Sequence, residues 1–392
     1  MKKEIYEIFT IQNNIILNMD SIEKLEQIVT DEATLKEICA KYLQAFGTER
    51  CTRENIEKIL ESNLHLNERY FQIYNLSRNI KTNTYSDRYI FIKSKIKEEI
   101  TPIYNLKENQ YCWIFGIYYQ KDDHTPVIED AQNVIEIKLE ENIENLTIVL
   151  NTFICCYGVL KDRSFLVKKF FYPDITKNSI LNKNLKKRDP ICLFFNGAIS
   201  IKYLKQIVSS LPTAPNMIFI TGPFGQKLYL YLEELSMNFR RIQFLIIPDA
   251  EDTIFPGFPK TFTDINLPLF KKFENIYFTT NPCEIHLRNR KICLLKSPII
   301  NEISQQVDTS GDDYMTEISK IILSQYCIDF QNMPNTIFKE LPDLFICFDE
   351  CPSKAISISD TLFVTCCDHK KDGISFIYYD SLSNEAEISS LI

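Results

Sequence analysis

Only nine glycines occur among the 392 residues of this chain. No Gly-x-x-x-x-Gly-Lys stretch is present, which excludes a phosphate-cradling loop of that kind built on backbone N–H groups. Histidine is also scarce, with four residues, and the 13 cysteines include no Cys-x-x-Cys. The adjacent pairs Cys155-Cys156 and Cys366-Cys367 make poor chelates, so the composition argues against a structural zinc site. A basic excess is missing too. The net charge of −8 and pI near 5.3 argue against a protein whose main business is gripping nucleic-acid phosphate, although a local basic patch is compatible with it. No uncharged apolar run approaches the roughly 18 residues of a membrane span. No apolar segment follows Met1-Lys2-Lys3-Glu4, so no signal peptide is expected. These absences point to a chain without a membrane partner, in a reducing compartment, cytosol or nucleus.

What is present is enough apolar residue, 45% of the chain, for two or three buried cores at this length. Residues 1–62 read as an N-terminal helical domain. Ile5, Ile8, Phe9 and Ile11 suggest a short first helix. Ile22, Leu25, Ile28 and Val29 form an apolar stripe behind Asp20-Ser21 as a cap. Leu35, Ile38, Cys39, Tyr42, Leu43 and Phe46 form another, stopped by Gly47, and Thr52 caps a helix with Ile56, Ile59 and Leu60. Residues 63–87 are polar and aperiodic, a linker arm in which Glu68-Arg69-Tyr70 precedes Phe71 and Ile73.

The pattern of 88–175 is strand-like. Runs at Tyr89–Ile92, Tyr111–Tyr119, Val134–Leu139, Leu146–Leu160 and Phe165–Tyr172 suit a five-stranded barrel of the OB type. Alternation puts Tyr111, Trp113 and Phe115 on one face, expected to be the barrel core. A connector follows at 176–190, with Lys183, Lys186, Lys187 and Arg188, read as a solvated linker. From 191 to 392 short apolar strands alternate with helices and end in a run of strands, which fits a two-sheet α/β domain. The fold class expected is multi-domain α+β.

Strand ends in this last part are where chemistry is expected. A binuclear metallophosphoesterase needs Asp-x-His after its first strand, Gly-Asp after the second, Gly-Asn-His-Asp/Glu after the third and a late Gly-His-x-His, because metal-activated hydroxide attacks phosphorus there. Here the first loop reads Phe195-Asn196-Gly197-Ala198, with Asn196 at the Asp place and Ala198 at the His place. The second reads Thr221-Gly222-Pro223, with Pro223 where the bridging carboxylate belongs. The third reads Asp249-Ala250-Glu251-Asp252, Ala250 and Glu251 standing for Asn and His. The late motif is Phe348-Asp349-Glu350-Cys351. His65, His124, His286 and His369 all fall off the ligand positions. The expectation is a degenerate site at Asn196, Ala198, Pro223, Ala250, Glu251, Asp349 and Cys351, with no metal, no cofactor and no catalysis.

Phe278-Thr279-Thr280-Asn281-Pro282-Cys283-Glu284-Ile285, supported by Phe244–Asp252, Ile322–Gln325, Leu341–Leu344 and Gly373–Phe376, resembles the B subunits of eukaryotic replicative DNA polymerases, in the epsilon branch. The resemblance is strong over 190–392 and weak over 1–62. It implies an OB domain followed by an inactive calcineurin-like phosphoesterase domain, and a nuclear, non-catalytic accessory subunit. The partners it implies are the zinc-binding C-terminal module of the polymerase epsilon catalytic subunit and, through the N-terminal domain, the GINS component of the replicative helicase. DNA contact would be indirect or weak.

Two other readings compete. Asp249, Glu251, Asp252, Asp349 and Glu350 would serve an active phosphoesterase with carboxylate ligands for Mg²⁺ or Mn²⁺, against the plainer reading of solvated loop charge. Tyr111, Trp113, Phe115, Tyr118 and Tyr119 would serve single-strand binding by stacking, although no Lys or Arg interleaves them in the run. Arg288, Arg290 and Lys291 read as an exposed turn. Asn281-Pro282-Cys283 reads as a structural turn rather than a nucleophile.

Overall fold

A computed structural model describes residues 2–13, 15–28, 35, 38, 39, 42, 51, 52, 55, 71–75, 84–122, 125–140, 148–175, 190–225, 228–252, 273–307, 314–329, 333–337, 340–367 and 374–391. The chain divides into two compact units, Met1–Tyr70 and Phe71–Ile392. The segment Glu68-Arg69-Tyr70, most of the connector with its basic residues, and His65, His124 and His369 lie outside the described residues.

In the first unit, α1 (Lys2–Tyr6) runs into a π-helical turn (Glu7–Gln12), and α2 spans Met19–Ile28. Ile5, Ile8, Phe9 and Leu25 meet Leu35, Tyr42 and Cys51 in one core. The cap of α2 differs from expectation. Asn18 Oδ1 accepts from Ser21 N at 2.8 Å, so Asn18 is the cap, while the Ser21 hydroxyl turns inward to the Cys51 carbonyl at 2.7 Å. Thr52 caps as expected, its Oγ1 accepting from Asn55 N at 3.2 Å.

The second unit opens with β1 (Phe71–Asn75) and α3 (Thr84–Lys93). The run Tyr89–Ile92 is therefore helix, not strand. Tyr85, Arg88, Tyr89 and Ile92 repeat at helical spacing, a stripe that four apolar residues taken alone conceal. The barrel is closed by β2 (Tyr111–Lys121), β3 (Thr125–Glu129), β4 (Val134–Leu139), β5 (Thr152–Lys161) and β6 (Ser164–Phe171) in the order β2-β3-β4-β6-β5. Only β4 and β6 pair in parallel. The strand β3 was hidden in sequence by Pro126, and β5 begins at Thr152, later than the apolar run suggests. The barrel interior holds Ile114, Ile128, Ile135, Ile137, Ile154, Cys156, Phe165 and Val167. Phe115 and Phe153 instead face outward into a second core. The expected facing of Tyr111, Trp113 and Phe115 is thus reversed: they lie on the outer face.

Beyond the barrel come β7 (Ile191–Phe195), α4 (Ile201–Ser210), β8 (Met217–Thr221), α5 (Leu228–Asn238), β9 (Gln243–Ile247), β10 (Ile276–Phe278), β11 (Cys283–Leu287) and β12 (Arg290–Lys296). Next are α6 (Ile299–Ser304), α7 (Tyr314–Ser324), β13 (Cys327–Asp329), β14 (Met333–Ile337), β15 (Leu344–Phe348), β16 (Lys354–Ile358), β17 (Thr361–Cys366), β18 (Ile374–Asp380) and β19 (Glu385–Leu391). Two six-stranded sheets form, β10-β9-β8-β7-β18-β19 and β1-β11-β12-β15-β17-β16. Strands β7 to β10 run parallel, as do β12, β15 and β17, and the inner strands β7, β8, β9 and β15 are buried along almost their whole length because both faces are covered. The arm residues Phe71–Asn75 extend the second sheet by pairing with β11. Helices α4 and α5 bury Leu204, Ile207, Leu232 and Leu235 against the first sheet. Helices α3, α6 and α7 share the core of Phe115 and Phe153.

Candidate functional site

Parallel strands of a sheet end together, so the loops after β7, β8 and β9 gather at one edge, the arrangement in which metal ligands would be presented. Asn196, directly after β7, is 3% exposed. Its Nδ2 donates to the Cys366 carbonyl at 2.8 Å and the Asp349 carbonyl at 3.3 Å, and its Oδ1 accepts from Thr221 Oγ1 at 3.2 Å. The amide therefore ties the first sheet to the ends of β15 and β17 in the second. Gly197 follows with φ of 102°, a backbone region that favours glycine, and its N–H donates to Thr221 Oγ1 at 2.8 Å. Ala198, half-buried, offers no ligand atom.

The β8 loop carries Gly222 and Pro223 across a cis peptide bond. Pro223, at the position expected to carry a bridging carboxylate, has no N–H and no side-chain ligand atom. A methyl group at Gly222 would land on the Asp252 carboxylate and would have to displace it. Asp252 holds the next loop, its Oδ1 accepting from Phe224 N at 2.8 Å and its Oδ2 from Asp249 N at 3.0 Å. Burial pushes its carboxyl up despite these N–H donors. Ala250, Glu251 and Asp252 form one turn of 3-10 helix, with Glu251 exposed.

Asp349, after β15, is 4% exposed. Its Oδ2 accepts from Ile300 N at 2.9 Å and Asn301 N at 3.2 Å, and its Oδ1 from Glu350 N at 2.6 Å. Burial again raises the carboxyl against those bonds. Asp252 and Asp349 are thus structural acceptors, a correction to their reading as solvated charge. Cys351 is half-buried, its thiol pushed up to about 12 by burial, which makes it a poor nucleophile or ligand.

The decisive side chain was missed in the sequence. Lys296 ends β12, and its Nζ donates to the Gly222 carbonyl at 2.6 Å and Thr221 Oγ1 at 3.3 Å and pairs with Asp249 Oδ2 at 2.8 Å. The ammonium thus sits among the loops of β8 and β9. Its backbone is bracketed by Asn281, which donates to the Lys296 carbonyl at 2.8 Å and accepts from its N–H at 2.9 Å. The only available signal was a lysine closing the apolar run Ile292-Cys293-Leu294-Leu295.

The two metals that a phosphoesterase fold implies do not fit these residues. Asn196 spends its amide on carbonyls, Pro223 offers nothing, and a lysine ammonium lies against Asp249. Among the described residues, no group of three or more His, Cys, Asp or Glu is placed to hold a metal. His286 pairs with Glu284 at 2.6 Å and packs on Tyr74, away from these loops. Cys283 is buried, its thiol raised to about 12, so no nucleophile stands in the Asn-Pro-Cys turn. Arg290 is not an exposed turn residue: it donates to the Ser381 carbonyl at 3.0 Å and pairs with Asp343 at 3.4 Å.

A second surface lies on the barrel's outer face. Tyr111, 47% exposed, stacks on Tyr157 with ring centroids 5.8 Å apart. Lys168 lies 4.7 Å from the Tyr111 centroid and Lys169 5.1 Å from that of Trp113. The lysines absent from the β2 run are supplied by β6.

An OB-type barrel joined to a two-sheet α/β domain defines the class of this chain. Residues 61–174 match the family of the DNA polymerase epsilon subunit 2-like OB-fold domain. The match covers the barrel and the segment leading into it, and not the two-sheet α/β domain. No curated protein matches the chain. Among solved structures, an archaeal phosphodiesterase is similar at 8% identity over 51% of this chain and 99% of its own, with a TM-score of 0.31. A single mutant of Vps29 from Entamoeba histolytica shows 12% identity over 52% and 99%, TM-score 0.27. Vps29 from Cryptosporidium parvum shows 10% over 52% and 97%, TM-score 0.26. No helix among the described residues is long and apolar enough to cross a membrane.

Proposed function

We propose that this chain is a non-catalytic accessory subunit of DNA polymerase epsilon, acting in the nucleus. It holds the zinc-binding C-terminal module of the catalytic subunit and connects it to the replicative helicase during chromosome replication. The observation that carries the non-catalytic part is the bonding of the loop edge: Asn196, Lys296 and Asp349 use their polar atoms on protein partners that fix the loops. A surface fixed in this way suits docking rather than turnover. In the N-terminal unit, Tyr6, Ile11, Ile16 and Met19 are exposed apolar residues available to a helicase component. The test is co-expression with the catalytic subunit's C-terminal module. Co-purification as a 1:1 complex is expected; two folded proteins that do not associate would refute the assignment. Phosphodiesterase activity on a nitrophenyl ester with Mn²⁺, together with stoichiometric bound metal, would restore the enzyme reading.

The outer barrel face favours a second role, weak binding of single-stranded DNA. Tyr111, Trp113 and Tyr157 offer stacking faces beside Lys168 and Lys169. Such binding weakens steeply with salt and is lost in the Tyr111→Ala, Lys168→Ala, Lys169→Ala triple variant. Affinity unmoved by either excludes this surface.

A further inference from the structure

Three observations concern one side chain. The ammonium of Lys296 has three N–H bonds and three oxygen partners: the Gly222 carbonyl at 2.6 Å, Asp249 Oδ2 at 2.8 Å and Thr221 Oγ1 at 3.3 Å. These oxygens come from the β8 and β9 loops of one sheet, while the lysine comes from β12 of the other. Its backbone is held on both sides by the Asn281 amide. A carboxylate, a carbonyl and a hydroxyl oxygen around one point are hard donors of the kind that take Mg²⁺, Mn²⁺ or Ca²⁺.

We infer that Lys296 is the resident cation of this site. Its ammonium stands where a divalent ion would, cross-links the two sheets by charge, and closes the site to metal. The site is then not a vacant relic of an enzyme but one in which a covalently attached cation has taken over the structural half of the metal's role. Asn281 is its positioning residue, and the Asn-Pro turn thereby acquires a physical role, since it fixes the lysine backbone so that the side chain reaches the loops. This rests on the non-catalytic reading of the same loops.

The experiment uses the full chain and Mn²⁺ alone, followed by electron paramagnetic resonance and by thermal unfolding. Wild type is expected to bind no Mn²⁺ at this site. Lys296→Ala, which opens the space and leaves the oxygens, is expected to take up one Mn²⁺ at least tenfold more tightly than wild type. Its lowered Tm is expected to rise again with Mn²⁺, and the double variant with Asp249→Asn is expected to lose both effects. Lys296→Arg keeps a cation and retains most of the wild-type Tm, whereas the length-matched Lys296→Met does not; this pair reports even if the alanine variant is too unstable to titrate. Equal damage by Arg and Met, or a folded alanine variant that binds no Mn²⁺, overturns the inference while leaving the accessory role intact. Mn²⁺ bound by wild type together with phosphodiesterase turnover overturns both.

Discussion

At the scale of single residues, amide and carboxylate are not interchangeable at this loop edge. Asn196→Asp restores the residue type a metal site would want, yet it would turn a carboxylate oxygen toward the carbonyls of Asp349 and Cys366, which now accept from the amide. The expected result is a loss of about 3 kcal/mol in urea unfolding with no gain of metal binding, since a buried charge faces acceptors without a donor. Asp349 makes a prediction about pH. Burial raises its folded carboxyl above the ordinary 3.8. Its contribution to stability is therefore fully present below 3.8 and is lost as pH rises through the raised folded value, because the native state holds the proton longer than the unfolded chain. Asp349→Asn, which does not titrate, should cost more stability at about pH 4 than at about pH 7; an equal cost at both would contradict the shift. That Asn196, Ala198 and Pro223 lie at one loop edge was legible in the sequence because each sits at a fixed offset from a strand end. Lys296 was not legible, since it is 75 residues from Thr221 and meets it only when the two sheets face each other.

At the scale of elements, the junction of the barrel with the α/β domain turns on α3 and the end of α7. Arg88 of α3 is buried, donates to the Gln325 carbonyl at 3.2 Å and to Gln325 Oε1 at 3.0 Å, and lies over the Phe153 ring at 4.8 Å. Gln325 Oε1 also accepts from Phe153 N at 2.7 Å, and its Nε2 donates to the Phe153 carbonyl at 3.2 Å. One glutamine thus joins helix, barrel strand and α/β domain. Gln325→Ala is expected to cost about 2–3 kcal/mol, read as a lower urea midpoint, because a guanidinium and a strand N–H lose an acceptor in the interior. A cost below the error of the midpoint would show that other partners suffice. Strand existence was legible from apolar runs bounded by polar turns, but facing was not. Strand β2 has apolar residues on both faces, Ile114 inward and Phe115 outward, because α3 and the α/β domain cover the outside. Alternation gives two faces and leaves open which one closes the barrel. The helix α3 was lost for a related reason: its stripe begins at Tyr85, inside a segment whose polarity read as linker.

At the scale of the whole molecule, the distribution of cores decides what can fold alone. One core joins Tyr89, Phe115, Val149 and Phe153 of the α3–barrel segment to Leu295, Ile299, Ile318, Ile322 and Phe345 of the α/β domain. Its apolar area is buried only when both are present, and β1 is paired to β11 as well. The N-terminal unit has its own core, from Ile5 to Cys51, with no described member in common with the others. Residues 71–392 produced alone should therefore unfold in a single transition, with a stability within about 0.5 kcal/mol of the same transition in the full chain, as independent sites add. Residues 71–175 produced alone should fail to reach a cooperative native state, since Phe115 and Phe153 would lie on an uncovered outer face and the barrel would associate through them. Calorimetry of the three chains separates the cases. Two transitions within 71–392, or a sharply melting barrel fragment, would mean that the shared core contributes little and that barrel and α/β domain are independent bodies. A transition shifted well beyond that margin on removing 1–70 would mean that the N-terminal unit supports the rest.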